Sequence, residues 1–287
     1  MKTYLDCIPC FVRQTLSSAR LVSEDETVHR EALRQVLKMT SEMDMSKPPP
    51  KMGQAIHRVI RQALHDPDPY AAIKDRFTKL ALSLLPQLRE RVQRSEDPLE
   101  TATRLSIAGN MIDFGPRSDL AEEEVAPALE EALQAPLQGD LESFRSTLAG
   151  AEKVTFLADN AGEIVFDRLL LRELAPREIT VVVKGSPTIN DATLEDAEAA
   201  GIREEARVVA NGSDAPGTVW EEVTPEVRDL VREADLVISK GQGNYETLSQ
   251  PPRPIWFLLK AKCPVIAQDI GFETGSLILV PRSPNTT

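Results

Sequence analysis

A carboxylate and an amide, Asp159 and Asn160, stand directly after the apolar run 154–158, which has the composition of a buried strand. Gly162 and an amphipathic segment, 163–174, follow at once. In open α/β sheets, ligands bind at the carboxyl ends of the strands. The side-chain oxygens of Asp and Asn are hard ligands that suit Mg²⁺ or Mn²⁺. The pattern therefore indicates a metal site more than a packing device.

Three further apolar runs end in polar turns. Run 179–183 stops at Lys184 and leads to Asp191, run 207–210 stops at Asn211, and run 236–239 stops at Lys240. A parallel sheet would gather these turns along one edge, so that acidic or amide clusters and two lysines share a cleft. The alternative is that each turn is an ordinary strand-to-helix loop, rich in Gly, Asn and Asp because those residues suit turns.

The elements that must position these residues fall into two parts of the chain. Residues 1–145 read as a helical domain, because apolar residues recur at helical spacing and proline clusters separate the segments. From about residue 151, short apolar runs alternate with helical segments, as in βαβ units. We predict the α/β class, with a metal-binding catalytic domain at 146–287 that holds a mostly parallel sheet.

Composition limits the possible functions. The chain has 287 residues, 41% hydrophobic and 27% charged, with a formal net charge of −12, as expected of a soluble globular protein. No basic run is present, which argues against nucleic-acid binding, and no apolar run is long enough for a membrane span. The first residues lack the apolar core of a signal peptide, so we expect a cytoplasmic protein with reduced cysteines.

The three cysteines allow several interpretations. Cys7 and Cys10 form a CxxC motif that opens the helical part, and Cys263 stands alone. A structural zinc site needs four ligands, and a thioredoxin-type motif follows a strand, so both readings are weak. Residues i and i+3 share a helix face, so the pair could meet Cys263 near the interface of the two parts. We favour buried packing thiols over metal binding and redox chemistry.

Two polar residues, Asn110 and Asp113, lie among apolar neighbours in segment 107–115. One interpretation is a helix end capped near Gly115. The other is that this helix delivers both polar groups to the cleft.

Six segments together resemble the damage-control phosphatase family, in particular its prokaryotic subgroup with a CxxC motif. They are ADNAGEIVFDRLL, KGSPTINDATLEDA, ISKGQGNYETL, IAGNMIDFG, DPYAAIK and CIPCFVRQ. Along this chain they follow one another in the same order as in the family, and together they extend over nearly its whole length. The resemblance implies a helical N-terminal domain and a Rossmann-like, three-layer C-terminal domain. It also implies a divalent-metal-dependent phosphatase of small phosphorylated metabolites. One departure is the segment 64–68 before DPY, where relatives often carry Thr-Gly.

By the same resemblance, Asp159, Asn160 and Asp191 are the metal ligands, Lys240 binds phosphate, and Asn110 and Asp113 are cleft residues. Independently of the resemblance, hydrolysis of a phosphomonoester needs a neutralised phosphoryl group, an oriented water and a base. A divalent ion (Mg, Mn, Co or Ni) would neutralise the phosphoryl group and orient the water. Lys240 would hold phosphoryl oxygens as a point charge.

The remaining predicted site residues surround this group. The Gly241 backbone can approach phosphate closely, Asn244 lies in the same turn, and Glu163 orients a ligand or simply favours the start of its helix. Asp113 is a candidate general base. We predict sugar phosphates or related damaged metabolites as substrates.

Two other classes of function stay open at this point. One is a nucleotide or S-adenosylmethionine enzyme on the same sheet, although the turn at Asp159 lacks the G-x-G-x-x-G pattern. The other is a non-catalytic protein that binds a metal or a metabolite. The sequence leaves the oligomeric state open.

Overall fold

This computed structural model describes residues 1–110 and 122–284. The first half of the chain is helical, with α1 (Cys7–Val22), α2 (Glu26–Ser41), α3 (Pro49–Leu64), α4 (Ala71–Arg94), α5 (Pro98–Gly109) and α6 (Glu122–Gln134). Capping side chains and prolines determine where several of these helices begin. Asp25 and Asp97 accept backbone N–H bonds at the starts of α2 and α5, and prolines occupy the first turns of α3 and α5. Helices α1 to α3 enclose their own apolar core around Phe11, Val36 and Ile56.

Strands and helices alternate over the rest of the chain. The strands are β1 (Leu137–Gly139), β2 (Lys153–Leu157), β3 (Glu178–Val183), β4 (Arg207–Ala210), β5 (Leu236–Lys240), β6 (Ile255–Lys260) and β7 (Leu277–Arg282). The helices are α7 (Leu141–Ala149), α8 (Glu163–Leu174), α9 (Leu194–Ala199), α10 (Pro225–Glu233), α11 (Gln242–Leu248) and α12 (Pro264–Ile270).

The strands form one 7-stranded sheet in the order β1-β7-β6-β5-β2-β3-β4. Neighbouring strands run parallel except β6 and β7, which pair antiparallel. The predictions of an α/β fold, a helical N-terminal part and a mostly parallel sheet are therefore confirmed. Strands β2, β3 and β5 are direct neighbours, with β2 in the middle, so the turns that follow them meet at one edge.

Alternate strand residues enter two different cores, which makes the fold three-layered. Phe156 and Ile238 face the core shared with α4, α5 and α8, whereas Leu157 and Val237 face the core shared with α10 to α12. A strand buried on both faces needs apolar residues at every position, which explains the continuous apolar runs in the sequence.

The helical part contributes directly to the layer above the sheet, because α4 and α5 pack against α8. Strand β1 lies beside β7 in the sheet, although its residues precede position 146. The division of the chain at residues 145 and 146 stays a prediction. Among the described residues, no helix is long and apolar enough to cross a membrane.

Candidate active site

A short backbone ladder joins the loops that follow β2 and β3. The backbones of Asn160 and Asp191 form an isolated antiparallel bridge. Two flanking hydrogen bonds of 2.8 Å close it, from Ala161 N–H to the Asn190 carbonyl and from Ala192 N–H to the Asp159 carbonyl. Because of this ladder, the three residues predicted to bind a metal, Asp159, Asn160 and Asp191, lie together at the sheet edge.

The loop after β3 carries visible backbone strain. Ile189 has a φ of 46°, in the left-handed region that a β-branched residue rarely adopts. Such strain persists only where the surroundings enforce it, and it concentrates at functional sites. Here it lies two residues before Asp191.

Two amide side chains brace two carboxylates. Asn160 Nδ2 donates to Asp159 Oδ2 at 3.1 Å and to Glu163 Oε2 at 2.9 Å. Asn110 Nδ2, from the end of α5, donates to the same two oxygens at 2.8 and 2.6 Å. Since each amide nitrogen serves two acceptors, the amide oxygens of both residues point away from these carboxylates. The buried Asn110 Oδ1 has no hydrogen-bond partner among the described residues.

The buried members of this cluster carry more negative than positive charge. Among the described residues, four buried carboxylates accompany two buried ammonium groups: Asp159, Glu163, Asp167 and Asp191, with Lys184 and Lys240. Burial, with Glu163 and Asp191 nearby, raises the pKa of Asp159 well above its ordinary value. A divalent cation at this place would balance the excess of two negative charges.

The donors present fit a hard cation. Asp159 and Asp191 supply carboxylate oxygens and Asn160 an amide oxygen, the ligand types that Mg²⁺ and Mn²⁺ prefer. In the described part of the chain, no three His, Cys, Asp or Glu side chains form a metal-binding group by themselves. The predicted set differs from such a group because its third member is an amide.

The position of Lys240 differs from the sequence expectation of a lysine in a turn. It is the last residue of β5, and its side chain is fully buried. Its ammonium donates to Glu163 Oε1 at 2.6 Å, to Asp167 Oδ1 at 2.5 Å and to the Ser106 carbonyl at 2.9 Å. The sheet continues one residue further than the apolar run, because Lys240 still pairs with Leu258 of β6. Lys240 is therefore an ion-paired residue of the interior in this structure.

Asp167 is a member of the cluster that sequence reasoning missed. Its Oδ1 accepts bonds from Lys240 and, at 2.6 Å, from the Ser106 hydroxyl. Burial raises its pKa to about 6, and Lys240 opposes that rise. The sequence did contain a signal, since Asp167 interrupts an apolar stretch four residues after Glu163, on the same face of α8.

The turn after β5 is held by its own protein contacts. Gly241 has a φ of 77°, and a Cβ atom there would lie 1.8 Å from Asp159 Oδ2, so this position needs glycine. Its N–H already donates to the Leu258 carbonyl. The Asn244 amide bonds the carbonyls of Ala158 and Lys240 and accepts from Thr218 Oγ1 at 2.7 Å. In this structure Gly241 and Asn244 therefore shape the site, and their predicted contacts with substrate stay untested.

Lys184, at the end of β3, completes the cluster. Its ammonium donates to the Gly217 carbonyl at 2.7 Å and lies 3.3 Å from Asp191 Oδ2. The predicted gathering of two lysines with the acidic turns is therefore observed. Asp113, the candidate base, lies outside the described residues.

The cysteines lie apart from this cluster. Cys7 and Cys10 occupy the first turn of α1, and Cys263 precedes α12 and interacts electrostatically with both. Cys10 is exposed, which contradicts the expectation of three buried thiols. Loss of hydration to neighbouring protein atoms raises the pKa of each thiol, so none is activated as a thiolate.

Comparison with known proteins places this chain in a family. Residues 3–278 match the model of the damage-control phosphatase ARMT1-like domain. A damage-control phosphatase of Archaeoglobus fulgidus is 38% identical over 95% of this chain and 96% of its own length. A damage-control phosphatase of Pyrococcus horikoshii is 30% identical, with 97% of each chain covered.

A solved structure gives the same result at the level of the fold. The crystal structure of a DUF89 family protein from Pyrococcus horikoshii superposes with a TM-score of 0.87 at 28% identity, covering 97% of this chain and 98% of that one. The match spans both the helical part and the sheet. The chain belongs to the damage-control phosphatase ARMT1-like domain family.

Proposed function

We propose that this chain is a divalent-metal-dependent phosphomonoester hydrolase that acts on small phosphorylated metabolites, such as sugar phosphates or related damaged metabolites. The observation that carries the proposal is the backbone ladder that brings Asp159, Asn160 and Asp191 together inside a cluster with excess negative charge. The family and its relatives named as phosphatases support the reaction class.

In this proposal Asp159, Asn160 and Asp191 hold one Mg²⁺, Mn²⁺, Co²⁺ or Ni²⁺ ion. When bound, such an ion polarises a phosphoryl oxygen and offsets the charge that builds on the phosphoryl group. Asn110 and Glu163 keep the ligands in place, because Asn110 donates to Asp159 and Glu163 accepts from Asn160.

Lys240 can contribute to the reaction in either of two ways. It binds phosphate directly only if its ammonium exchanges Glu163 or Asp167 for a phosphoryl oxygen. Without that exchange, it acts by holding the Glu163 side chain in place through their ion pair. Asp113 remains our candidate for the base that accepts a proton from the attacking water.

Three finer statements belong to the same proposal. The motif of Cys7 and Cys10 supports membership of the prokaryotic CxxC subgroup. A cytoplasmic location fits reduced thiols. The division into a helical domain at 1–145 and a catalytic domain at 146–287 is also part of the proposal; the separate core of α1 to α3 supports it, whereas α4 and α5 share a core with the sheet.

The test is a screen of metal-stripped protein for phosphate release, with each of the four ions against a panel of small phosphomonoesters. In parallel, thermal unfolding with and without each ion reports binding independently of turnover. We expect Asp159→Asn to abolish turnover and the stabilisation by the ion, while the ion-free variant is more stable than wild type because a buried charge is removed. Asp75→Asn, at an exposed carboxylate on α4, is the matched control.

The outcomes separate the alternatives. Stabilisation by an ion without turnover of any substrate would favour a metal-binding protein that is not an enzyme. An ion that stabilises Asp159→Asn as much as wild type would show that the metal site is elsewhere.

A further inference from the structure

We propose that a cleft beside this site receives a second phosphate of the substrate, so that the preferred substrates are bisphosphorylated small metabolites. This inference rests on the proposed phosphatase function and names its substrate class. The cleft has a volume of about 580 Å³ and lies between α3 and the loops that follow β3 and β4. Its lining includes Arg58, Arg61, Ser186, Pro187, Ser213 and Asp214.

The cleft and the proposed metal site share one loop. Arg61 Nη1 donates to the Pro187 carbonyl at 2.6 Å, and Asp191 follows Pro187 by four residues. Four residues span at most roughly 14 Å even when fully extended. The loop is shorter than this limit, because the Asp191 N–H bonds back to the Thr188 carbonyl. The Pro187 carbonyl that Arg61 binds therefore lies within about 14 Å of Asp191 along this loop, and this is the span that the two phosphates of the proposed substrate would bridge.

The loop after β4 is tightly joined to the same loop. A Cβ atom on Gly185 would lie only 2.4 Å from the Gly212 Cα, so the two backbones are in direct contact. The Gly185 N–H also donates to the Ser213 carbonyl at 2.9 Å. The wall of the cleft and the loop that carries Asp191 are thus one packed unit.

The arginines keep donors for an anion. Arg58 Nε and Nη2 bond to Asp214 at 2.9 and 2.6 Å, which leaves the Nη1 group of its guanidinium without a hydrogen bond to any acceptor among the described residues. Its side chain is 52% exposed, so a ligand can reach it from solvent. Arg61 Nη2 bonds to Asp214 at 2.6 Å, so a single carboxylate serves both guanidinium groups.

The charge of the cleft differs from that of the whole chain. Glu222, the other acidic residue of the lining, is paired with Lys51. The lining itself is formally neutral, with Arg58 and Arg61 against Asp214 and Glu222, and Lys51 beside Glu222 adds one positive charge, in a chain whose net charge is −12. Guanidinium groups match phosphate oxygens in two-pronged geometry, which favours phosphate as the second group.

Two readouts test this assignment. The first is kcat/KM for glucose 6-phosphate and glucose 1,6-bisphosphate, for wild type, Arg58→Ala and Arg203→Ala. Arg203 is the matched control, an exposed arginine paired with Glu198 away from the cleft. The second is calorimetric titration of the bisphosphate with Mg²⁺ present, which measures binding without relying on turnover.

We expect wild type to prefer the bisphosphate, and Arg58→Ala to lower that preference by about ten- to hundredfold, as expected for one charge-assisted hydrogen bond. Arg203→Ala should keep the preference. Equal turnover of both substrates by wild type, or a preference that survives in Arg58→Ala, would overturn the inference and leave the phosphatase function standing.

If wild type turns over neither compound, the titration decides. Bisphosphate binding that weakens at least tenfold in Arg58→Ala would keep the cleft as a phosphate site, whatever the screen of phosphomonoesters shows about the reaction. Binding that is absent, or equal in both proteins, would remove the cleft site as well. A purely structural role of Arg58, as a tie between α3 and the loops, predicts lower stability with an unchanged substrate preference.

Discussion

Replacement of Lys240 by methionine should destabilise this protein strongly. The side chain is fully buried between Glu163 and Asp167, at 2.6 and 2.5 Å. Methionine keeps most of the apolar volume but leaves the two carboxylates facing each other without a cation. Breaking a buried ion pair by removing one partner costs about 3–5 kcal/mol. At roughly 2–4 °C per kcal/mol for a chain of this size, the midpoint of thermal unfolding should fall by about 6–20 °C.

The loss should depend on pH. Burial already raises the pKa of Asp167 to about 6, and Lys240 is the main group that opposes the rise. Without Lys240 the folded state holds a proton that the unfolded state releases near pH 4. A pKa raised on folding gives stability at low pH that is lost as the pH rises. The variant should therefore be closer to wild type at pH 5 than at pH 7.5.

Thermal and denaturant unfolding, followed by circular dichroism, measure both effects. Lys240→Met combined with Asp167→Asn should recover a large part of the loss, because it removes one uncompensated charge. Lys79→Met is the matched control, since Lys79 is 73% exposed and pairs with Asp75 on the surface. Such pairs contribute about 0–1 kcal/mol. A Lys240→Met variant within about 1 kcal/mol of wild type would refute this reasoning and favour an ammonium free to bind phosphate.

Three further predictions concern other positions. Gly241→Ala should cost about 1–3 kcal/mol of backbone strain and also weaken cation binding, since its Cβ would strike Asp159. Gly275→Ala should show the strain alone in the same unfolding and titration assays, because Gly275 has a φ of 96° but no atom of the described residues lies within 4 Å of the added Cβ. Burial lowers the pKa of His57 to about 3, so the unfolded state binds a proton at a higher pH than the folded state does. The free energy of unfolding should therefore fall below pH 6.5 by up to about 1.4 kcal/mol per pH unit. In pH-dependent denaturation, His57→Gln should flatten that slope. Replacing both cysteines of the CxxC motif by serine should keep most phosphatase activity, and lost turnover in a folded double variant would contradict the assignment of these thiols as non-catalytic.

Much of the candidate site was predictable from the sequence because it depends on local patterns. Four apolar runs that each end in a polar turn specify strands with loops at a common edge, whichever order the strands take. The order itself has β2 between β3 and β5, and it puts Asp159 and Asn160 beside both Asp191 and Lys240. The amphipathic segment 163–174 was also predicted with the ends that α8 has, because strand-to-helix turns and helix periodicity are local signals.

Tertiary structure decided what the side chains do. Sequence pattern could not show that Lys240 turns inward, because its partners Glu163 and Asp167 lie 77 and 73 residues away and are brought to it only by packing of α8 on the sheet. It also could not show that the Asn244 amide is used by three protein groups. The residue types and turns of a site are written along the chain, whereas burial and pairing of charges depend on contacts between distant segments, and those contacts exist only in the folded protein.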